Sequence, residues 1–204
     1  MKKLVLIAVI LAAFSATSFA GFGLGVSLGA GQSKSDLKAV KDSMVAYEHK
    51  WNLGIFGVEA FYEHAGLFNL EEQHIFGIKV GYNGLGEESL KGLYFDLTYE
   101  EAKITYYEIP FMIYYKYAPS KWHWTAGAGA AFGKSKLEVL GVGSDTISKT
   151  YPFIAAGVEH RFGKLFGLGL DLRYNLGAKF ENEIGFVYRD LSGIQGALAA
   201  RFYF

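Results

Sequence analysis

The residues most able to do chemistry in this 204-residue chain are charged side chains that recur at alternate positions of apolar segments. In residues 108–117, Glu108 and Lys116 share one parity, whereas isoleucine, phenylalanine and tyrosine fill the other. Acids and bases that meet on one face can pair, form a charged ring for ions, or act as general acids and bases. The charged residues that we assign to one enclosed face are Glu48, Lys50, Glu59, Lys79, Asp96, Glu100, Glu108, Lys116, Glu159, Arg161, Asp171, Arg173 and Arg201.

These seven acids and six bases are nearly balanced. A pore that selects ions by charge needs a ring of one sign, whereas interleaved opposite charges in a narrow space pair and fill it. The balance therefore favours a lumen plugged by salt bridges. A narrow passage for small solutes is the alternative.

Other candidates for catalysis or metal binding show no recognisable spacing. The five histidines form no HExxH pair, and Ser27, Ser89, Ser144 and Ser148 have no histidine nearby in sequence. The segments Glu63–His64 and Glu71–Glu72–Gln73–His74 fit either a cation site or a solvated acidic loop, and we favour the loop. We predict no catalytic residue, cofactor or metal, with an outer-membrane enzyme as the least favoured reading.

The composition excludes several classes of protein. Twenty Lys and Arg balance twenty Asp and Glu, so there is no basic surplus for nucleic acid. The chain has no cysteine, which excludes disulfide scaffolds and thiolate metal sites. Hydrophobic residues make up 51% and aromatic residues 17%, with 26 glycines. This combination indicates a glycine- and aromatic-rich β protein.

Residues 1–20 have the pattern of a secretory signal peptide. Lys2 and Lys3 precede an apolar stretch, and small residues lead to a predicted cleavage between Ala20 and Gly21. No later segment contains 18 consecutive apolar residues, so no transmembrane helix is expected. We predict export through the Sec pathway and one mature domain at residues 21–204.

Strict alternation of apolar and polar residues predicts β-strands, because successive side chains of a strand point to opposite faces. In residues 194–204 one parity is free of charge and ends in Phe202 and Phe204, whereas the other carries Gln195 and Arg201. Ten segments alternate in this way: residues 22–31, 45–51, 56–62, 76–82, 92–103, 108–117, 122–133, 154–162, 168–175 and 194–204.

Three features favour a membrane barrel over a soluble one. The polar parity is mostly Gly, Ala, Ser and Thr, which suits a crowded lumen better than a solvated surface. Aromatic residues such as Phe22, Trp122 and Phe162 lie at the ends of the apolar parity, as an interfacial girdle requires. Most segments have the length that crosses a bilayer at a tilt. We predict an all-β fold: a closed, antiparallel transmembrane β-barrel.

The connectors predict a topology of ten strands with both chain ends in the periplasm. Connectors at residues 52–54, 83–92, 118–121 and 163–164 are assigned to the periplasmic side. Those at residues 32–42, 65–73, 134–149 and 177–190 are assigned to the outside, with a very short outer turn at residues 103–107. If the hairpin at residues 44–62 is an excursion of an outer loop, the barrel has eight strands instead.

Several segments resemble the small outer-membrane barrels of the opacity-protein and porin-like superfamily. The matching segments are FGLGVSLGAG (22–31), GVEAFYEH (57–64), YEIPFMIYYKY (107–117), AAGVEHRF (155–162) and ALAARFYF (197–204). In that family the barrel assembly machinery reads the terminal aromatic strand. The resemblance thus implies an assembly signal at Phe202, Tyr203 and Phe204, supported by Arg201.

The same resemblance implies a role as an adhesin, an envelope stabiliser or a small pore. Our expectation is a monomeric outer-membrane protein with a structural or surface-contact role. Its expected partners are outer-membrane lipid, the assembly machinery and an unidentified surface ligand.

Overall fold

A computed structural model describes residues 20–31, 33, 47–51, 54–65, 71–94, 97–139, 143–183, 185 and 187–204. The strands in this part of the chain are β1 (Ala20–Gly31), β2 (Tyr47–Trp51), β3 (Ile55–Ala65), β4 (His74–Tyr94), β5 (Leu97–Tyr117), β6 (Trp122–Val139), β7 (Gly143–Arg161), β8 (Phe166–Asn175), β9 (Lys179–Glu181), β10 (Val187–Asp190) and β11 (Gly193–Tyr203). The described residues contain no helix long and apolar enough to cross a membrane.

Eight of these strands close into an antiparallel barrel. Their order around the ring is β1, β3, β4, β5, β6, β7, β8 and β11, and β11 pairs back to β1. In the described part of the chain, β2 pairs with residues 88–92 of β4, beyond Leu85, where the pairing of β4 with β3 ends. The prediction of ten strands is therefore wrong, and the eight-strand alternative is confirmed.

The predicted count is too high by two strands. One is β2, which lies outside the ring, and the other arises because the sequence pattern predicts three strands where the β4–β5 hairpin has two. The segment at residues 83–92, predicted to be a turn, is the continuation of β4, and the predicted turn at residues 103–107 lies inside β5. Register irregularities between Leu85 and Glu88, and between Leu90 and Lys91, interrupt the β4–β5 ladder there. Bulges of this kind break the two-residue period, so one long strand resembles two short ones.

The barrel has two ends, which we call the terminal end and the hairpin end. The terminal end holds Ala20, Tyr203 and the connectors at residues 66–73, 118–121 and 162–165. The hairpin end holds the connectors that follow β1, β4, β6 and β8. The connector at residues 65–73 was predicted on the opposite side from residues 118–121, and this is wrong. The predicted loop at residues 134–149 is instead mostly strand, because β6 and β7 extend to Val139 and Gly143.

The register fixes the dimensions of the barrel. From Glu159 in β7, the ladder partners run through Gly169, Ala199, Ser27, Gly57, Asn83, Glu108 and Gly133, and return to β7 at Lys149. The return is displaced by ten residues, which is the shear of the barrel. Eight strands with this shear tilt by roughly 43° and give a radius of about 8 Å, so side chains can fill the interior.

The two faces of the wall differ as the alternation predicts. Large apolar side chains point outward along each of the eight barrel strands, and Leu198, Ile113 and Leu28 are each at least 60% exposed. Side chains of the opposite parity are buried, among them Glu108, Glu159 and Arg201. A wall that exposes leucine and buries charge is suited to lipid outside and a polar lumen inside.

Candidate functional site

The charged lumen is the main concentration of polar side chains that the structure describes. Alternate residues of β3 to β8 and β11 point into it, and each of these strands except β6 contributes one or two charges. The described lumen charges are Glu59, Glu63, Glu108, Glu159 and Asp171, with Lys79, Lys116, Arg161, Arg173 and Arg201. The two signs are equal in number, and every member takes part in at least one ion pair.

Arg201 of β11 lies at the centre of this network. Its guanidinium donates from Nε to Glu59 at 2.6 Å and from Nη1 to Glu159 at 3.2 Å, and Nη2 pairs with Asp171. Lys79 completes the group, 3.0 Å from Glu59 and 3.7 Å from Asp171. One guanidinium thus ties together β3, β7 and β8, which lie on opposite sides of its own strand.

Towards the terminal end, Tyr203 joins the network to a second cluster. Its hydroxyl lies 2.6 and 2.7 Å from the two carboxylate oxygens of Glu159, and the Arg161 guanidinium stacks 3.1 Å from the centre of its ring. Lys116 donates to the Tyr203 hydroxyl at 3.3 Å and pairs with Glu63. These contacts lie across the lumen at the terminal end.

Towards the hairpin end, Glu108 is the centre of a third cluster. Its carboxylate accepts two hydrogen bonds from Arg173, at 2.5 and 3.1 Å, and one from the Asn83 amide at 2.7 Å. The hydroxyl of Tyr106 donates to it at 2.9 Å, and that of Tyr151 contacts it too. A buried carboxylate needs hydrogen-bond donors for its oxygens, and these side chains supply them. Glu108 is accordingly buried, with only 1% of its surface exposed.

An apolar cap covers the Glu108 cluster. The connector between β8 and β11 folds back over the barrel mouth as the small β9–β10 hairpin and buries Ala178, Phe180 and Leu191 completely. The Phe180 ring packs edge-on against Tyr106 and Tyr151, at centroid distances of 5.3 and 6.1 Å. The cap therefore rests on the same two tyrosines that hydrogen-bond to Glu108.

A cavity of about 110 Å³ separates the charge clusters. Its lining includes Lys79, Pro110, Met112, Asp171 and Gln195, which is a mixture of charged, polar and apolar groups. A buried water needs roughly 10–15 Å³ of such space, so the cavity has room for several waters. The chamber lies between the Tyr203 contacts towards the terminal end and the Glu108 cluster towards the hairpin end.

Lumen-facing glycines make room for the aromatic rings. A Cβ on Gly23 would lie 2.2 Å from the Phe61 ring, and one on Gly133 would lie 2.7 Å from the Phe180 ring. At Gly77 the nearest atom would belong to the Tyr114 ring, at 2.3 Å. The glycine-rich polar parity of the sequence thus allows aromatic rings to lie against the barrel wall.

Three of the charges assigned to the lumen from sequence have backbones beyond the barrel ring. A fourth, Asp96, lies outside the described residues. The backbones of Glu48 and Lys50 are in β2, and that of Glu100 pairs with Lys91 in the β4–β5 hairpin, so these positions lie beyond the ring formed with β3. The other nine assigned charges point into the lumen.

Several residues of the lumen were not predicted from sequence, among them Asn83, Tyr106 and Tyr151 of the Glu108 cluster, and also Glu63 and Phe180. Glu63 was assigned to a loop, although it continues the inward parity of Glu59 and Phe61 and is buried beside Lys116. Extending the alternation by two residues would have placed it correctly. Phe180 lies in an irregular connector, where alternation gives no signal.

The candidate cation site is not assembled. Glu63 points into the lumen, His64 contacts the carbonyl oxygen of Ala65, and His74 contacts the hydroxyl of Tyr115 at 2.6 Å. Gln73 hydrogen-bonds to Glu71 in the exposed connector. The described residues contain no group of three or more acidic or histidine side chains placed to hold a metal.

The three residues of the predicted assembly signal point in two directions. Phe202 and Phe204 point outward, and Phe202 packs against Phe166 at a centroid distance of 5.3 Å. Tyr203 points inward to Glu159. The backbone N–H of Phe204 donates to the carbonyl of Phe22 at 2.8 Å and extends the β1–β11 seam.

Comparison with known proteins identifies the same architecture. The sequence profile of the family described as "Outer membrane protein beta-barrel domain" matches residues 3–202. Among solved structures, Ail of Yersinia pestis in complex with the heparin analogue sucrose octasulfate is 13% identical, with a TM-score of 0.50 over 91% of this chain and 97% of that one. Neisserial surface protein A is 12% identical, with a TM-score of 0.50 over 91% of this chain and 98% of that one. A search of curated proteins found no significant match.

Proposed function

This chain belongs to the outer membrane protein β-barrel domain family, and from this premise we propose that it is a non-enzymatic barrel with a closed lumen that stabilises the outer membrane or contacts ligands at its surface. The observation that supports closure is a pair of side-chain clusters, one towards each end of the lumen. The Lys116–Glu63–Tyr203 cluster lies at the terminal end, and the Glu108–Arg173 cluster lies under Phe180 at the hairpin end.

The charge pattern supports closure over conduction. Selective conduction needs binding weak enough for ions to leave, usually at a ring of like charges. In this lumen the guanidinium of Arg201 contacts three carboxylates and that of Arg173 binds Glu108 bidentately, so the fixed charges neutralise each other. An ion that entered would have to displace these partners.

The long hairpins support a surface role. Beyond Leu85, β4 continues for nine residues to Tyr94, which is about 30 Å of strand. We place the hairpin end outside the cell and the terminal end in the periplasm, because long connectors of such barrels face outward. A monomer embedded in outer-membrane lipid would then present the hairpins to a surface ligand.

The resemblance to small barrels also supports recognition by the barrel assembly machinery. The outward Phe202 and Phe204 would offer their rings to lipid or to the machinery, whereas Tyr203 would be read only before the lumen closes. We therefore assign the signal chiefly to the two outward phenylalanines.

A narrow pore is the second candidate, and the cavity of about 110 Å³ is the observation that favours it. A local movement of the cap would connect this chamber to the outside. The terminal end would need a second opening, at Lys116 and Glu63, before a solute could cross.

Ion flux into liposomes distinguishes the two candidates. The purified wild-type barrel should leave a potassium gradient intact for as long as protein-free liposomes do. The double variant Phe180→Ala with Lys116→Ala truncates one side chain of the cluster at each end of the lumen. It should dissipate the gradient and serves as the positive control. Wild-type protein that dissipates the gradient as fast as this variant would refute the closed lumen.

A further inference from the structure

A buried histidine lies beside the ion pairs at the terminal end of the lumen. His123 of β6 has the inward parity and is 9% exposed. Its Nδ1 atom is buried and has no hydrogen-bond partner among the residues that the structure describes. Histidine is the side chain that gains a proton just below neutral pH, at about pH 6.5 in an unfolded chain. His123 is therefore the group of this cluster whose charge a mild fall in pH can change.

The acid nearest to His123 is already shared by other partners. His123 is the ladder partner of Glu159, and its Nδ1 atom lies 4.0 Å from Oε1 of that residue. A neutral imidazole forms no ion pair at this place, whereas an imidazolium does. The same Oε1 atom lies 3.2 Å from Nε of Arg161. His123 and Arg161 are thus competing partners of one carboxylate oxygen.

Arg161 is the partner that can leave. Its Nε atom forms an ion pair with Glu159 but no hydrogen bond, whereas Tyr203 and Arg201 both donate hydrogen bonds to that carboxylate. The side chain of Arg161 is 17% exposed, and its Nη1 donates to the carbonyl of Lys164 in the turn at the terminal end. Arg161 therefore has a path to water, whereas the side chain of Glu159 is 1% exposed and stays buried.

The charges around His123 balance only while its ring is neutral. The lumen groups in and next to this cluster are Glu63 of β3, Tyr114 and Lys116 of β5, Glu159 and Arg161 of β7, and Arg201 and Tyr203 of β11. The exposed groups at the same end are Glu71, Glu72, Lys121, Lys164 and the carboxylate of Phe204, all of which water screens.

A proton on His123 makes the described lumen net positive. Its five carboxylates are matched by five lysine and arginine side chains, so no negative charge is left over for an imidazolium. A net charge held away from water is costly, and the cost falls when one cation moves out to solvent. Arg161 is the cation placed to do so.

We propose that His123 is an acid sensor that opens the terminal end of the lumen. On acidification the imidazolium takes the place of Arg161 at Glu159. The Arg161 guanidinium then leaves its position 3.1 Å from the centre of the Tyr203 ring and turns out to solvent, which uncovers a path to the chamber. The inference rests on the closed lumen proposed above and adds the condition under which one end opens.

The test uses the absence of cysteine from the chain. Thr125→Cys places a thiol on the lining of the cavity, two residues further into the lumen than His123, and Ser120→Cys places a reference thiol in the exposed turn. Each barrel is refolded in detergent micelles and treated with a small uncharged methanethiosulfonate between about pH 7.5 and pH 5, on either side of the histidine titration. Gel mobility before and after heating confirms that the barrel is folded at each pH.

The ratio of the two reaction rates measures access to the lumen. Thiolate is the reactive form of both cysteines, and below the ordinary pKa of a thiol, about 8.5, both thiolate fractions fall in parallel with pH. The pH dependence of the reagent chemistry therefore cancels in the ratio of the Thr125→Cys rate to the Ser120→Cys rate.

We expect this ratio to be low and constant above about pH 7, and then to rise by up to about tenfold for each further unit of pH, since each opening takes up one proton. In His123→Gln the ratio should stay low throughout. His160→Gln is the matched control, because His160 has the outward parity at the same end and packs against Trp122, and it should keep the full response.

A second variant tests the competition without changing the histidine. Arg161→Gln removes the cation that has to leave, so the acid-dependent rise should be largely lost although His123 is intact. A full rise in this variant would contradict the exchange of partners at Glu159.

The wild-type background alone can overturn the proposal. A ratio that stays low down to about pH 5 would contradict the acid sensor and leave the closed lumen standing. A ratio near one already at neutral pH would contradict the closed lumen itself, and the sensor with it. A rise that survives in His123→Gln would assign the response to another group, such as the carboxylates.

Discussion

Removing the Arg201 guanidinium should destabilise the barrel more than any other single loss of charge in the lumen. Arg201→Met keeps most of the side-chain length but removes the cation that contacts all three of Glu59, Glu159 and Asp171. Breaking a buried pair by removing one partner costs about 3–5 kcal/mol, because the other charge stays buried.

The structure places the expected loss at the lower end of this range. Glu159 is 1% exposed, but it retains Arg161 at 3.2 Å and the Tyr203 hydroxyl. Glu59 retains Lys79 at 3.0 Å, and the side chain of Asp171 is 24% exposed, so water replaces part of its lost pairing. We expect the free energy of unfolding to fall by about 3 kcal/mol.

The measurement is urea unfolding of the refolded barrel in lipid vesicles. The folded fraction at each urea concentration is read from the band whose gel mobility shifts on heating. The midpoint should fall while the slope is unchanged. Lys164→Met is the control for loss of one positive charge, because Lys164 lies in an exposed turn, and it should change stability by less than about 0.5 kcal/mol.

A second variant separates pairing from packing. Adding Glu159→Gln to Arg201→Met removes the most buried of the three carboxylates and should restore at least about 1 kcal/mol, because contacting residues are coupled. A loss below about 1 kcal/mol for Arg201→Met, or simple additivity in the double variant, would refute the view that Arg201 is the centre of the network.

Three further predictions concern the packing of side chains against the barrel wall, the assembly signal at Phe204 and the orientation of the barrel in the membrane. Gly23→Ala should cost about 1–3 kcal/mol in urea unfolding because its Cβ overlaps a buried ring, whereas Gly84→Ala has open space and should be tolerated; equal effects would contradict the packing account. Phe204→Ala should lower the amount of barrel in the outer membrane several-fold, and Leu165→Ala, which also truncates a strongly exposed apolar side chain, should not; unchanged levels of the Phe204 variant would remove it from the assembly signal. Ser144→Cys, near the tip of the β6–β7 hairpin, should react with a membrane-impermeant maleimide on intact cells; protection from the reagent would reverse the orientation.

The strand architecture could be predicted from sequence because a half-buried strand repeats every two residues. The outward rows Phe22–Leu24–Val26 and Leu168–Leu170–Leu172 are complete in the sequence, and their strands lie where the alternation predicts. The strand count failed at β4. Asn83 and Gly84 are typical turn residues, yet here they continue a strand paired on both sides.

The charged residues of the lumen could be assigned by parity, but their contacts could not. Glu59 and Arg201 are 142 residues apart, and only the closure of the ring brings them within 2.6 Å. The cap was not predictable, because Phe180 and Leu191 lie in a connector with no periodic pattern. Such residues are buried by a chain reversal, which is set by tertiary packing and not by local sequence.

The most direct test of the closed lumen is single-channel recording of the wild-type barrel in a planar lipid bilayer at neutral pH. The arrangement of ion pairs beneath the cap predicts that inserted barrels, counted by gel mobility, give no unitary current steps above the bilayer background. Reproducible steps of one size from the same preparation would contradict it and would make the narrow pore the function of this protein.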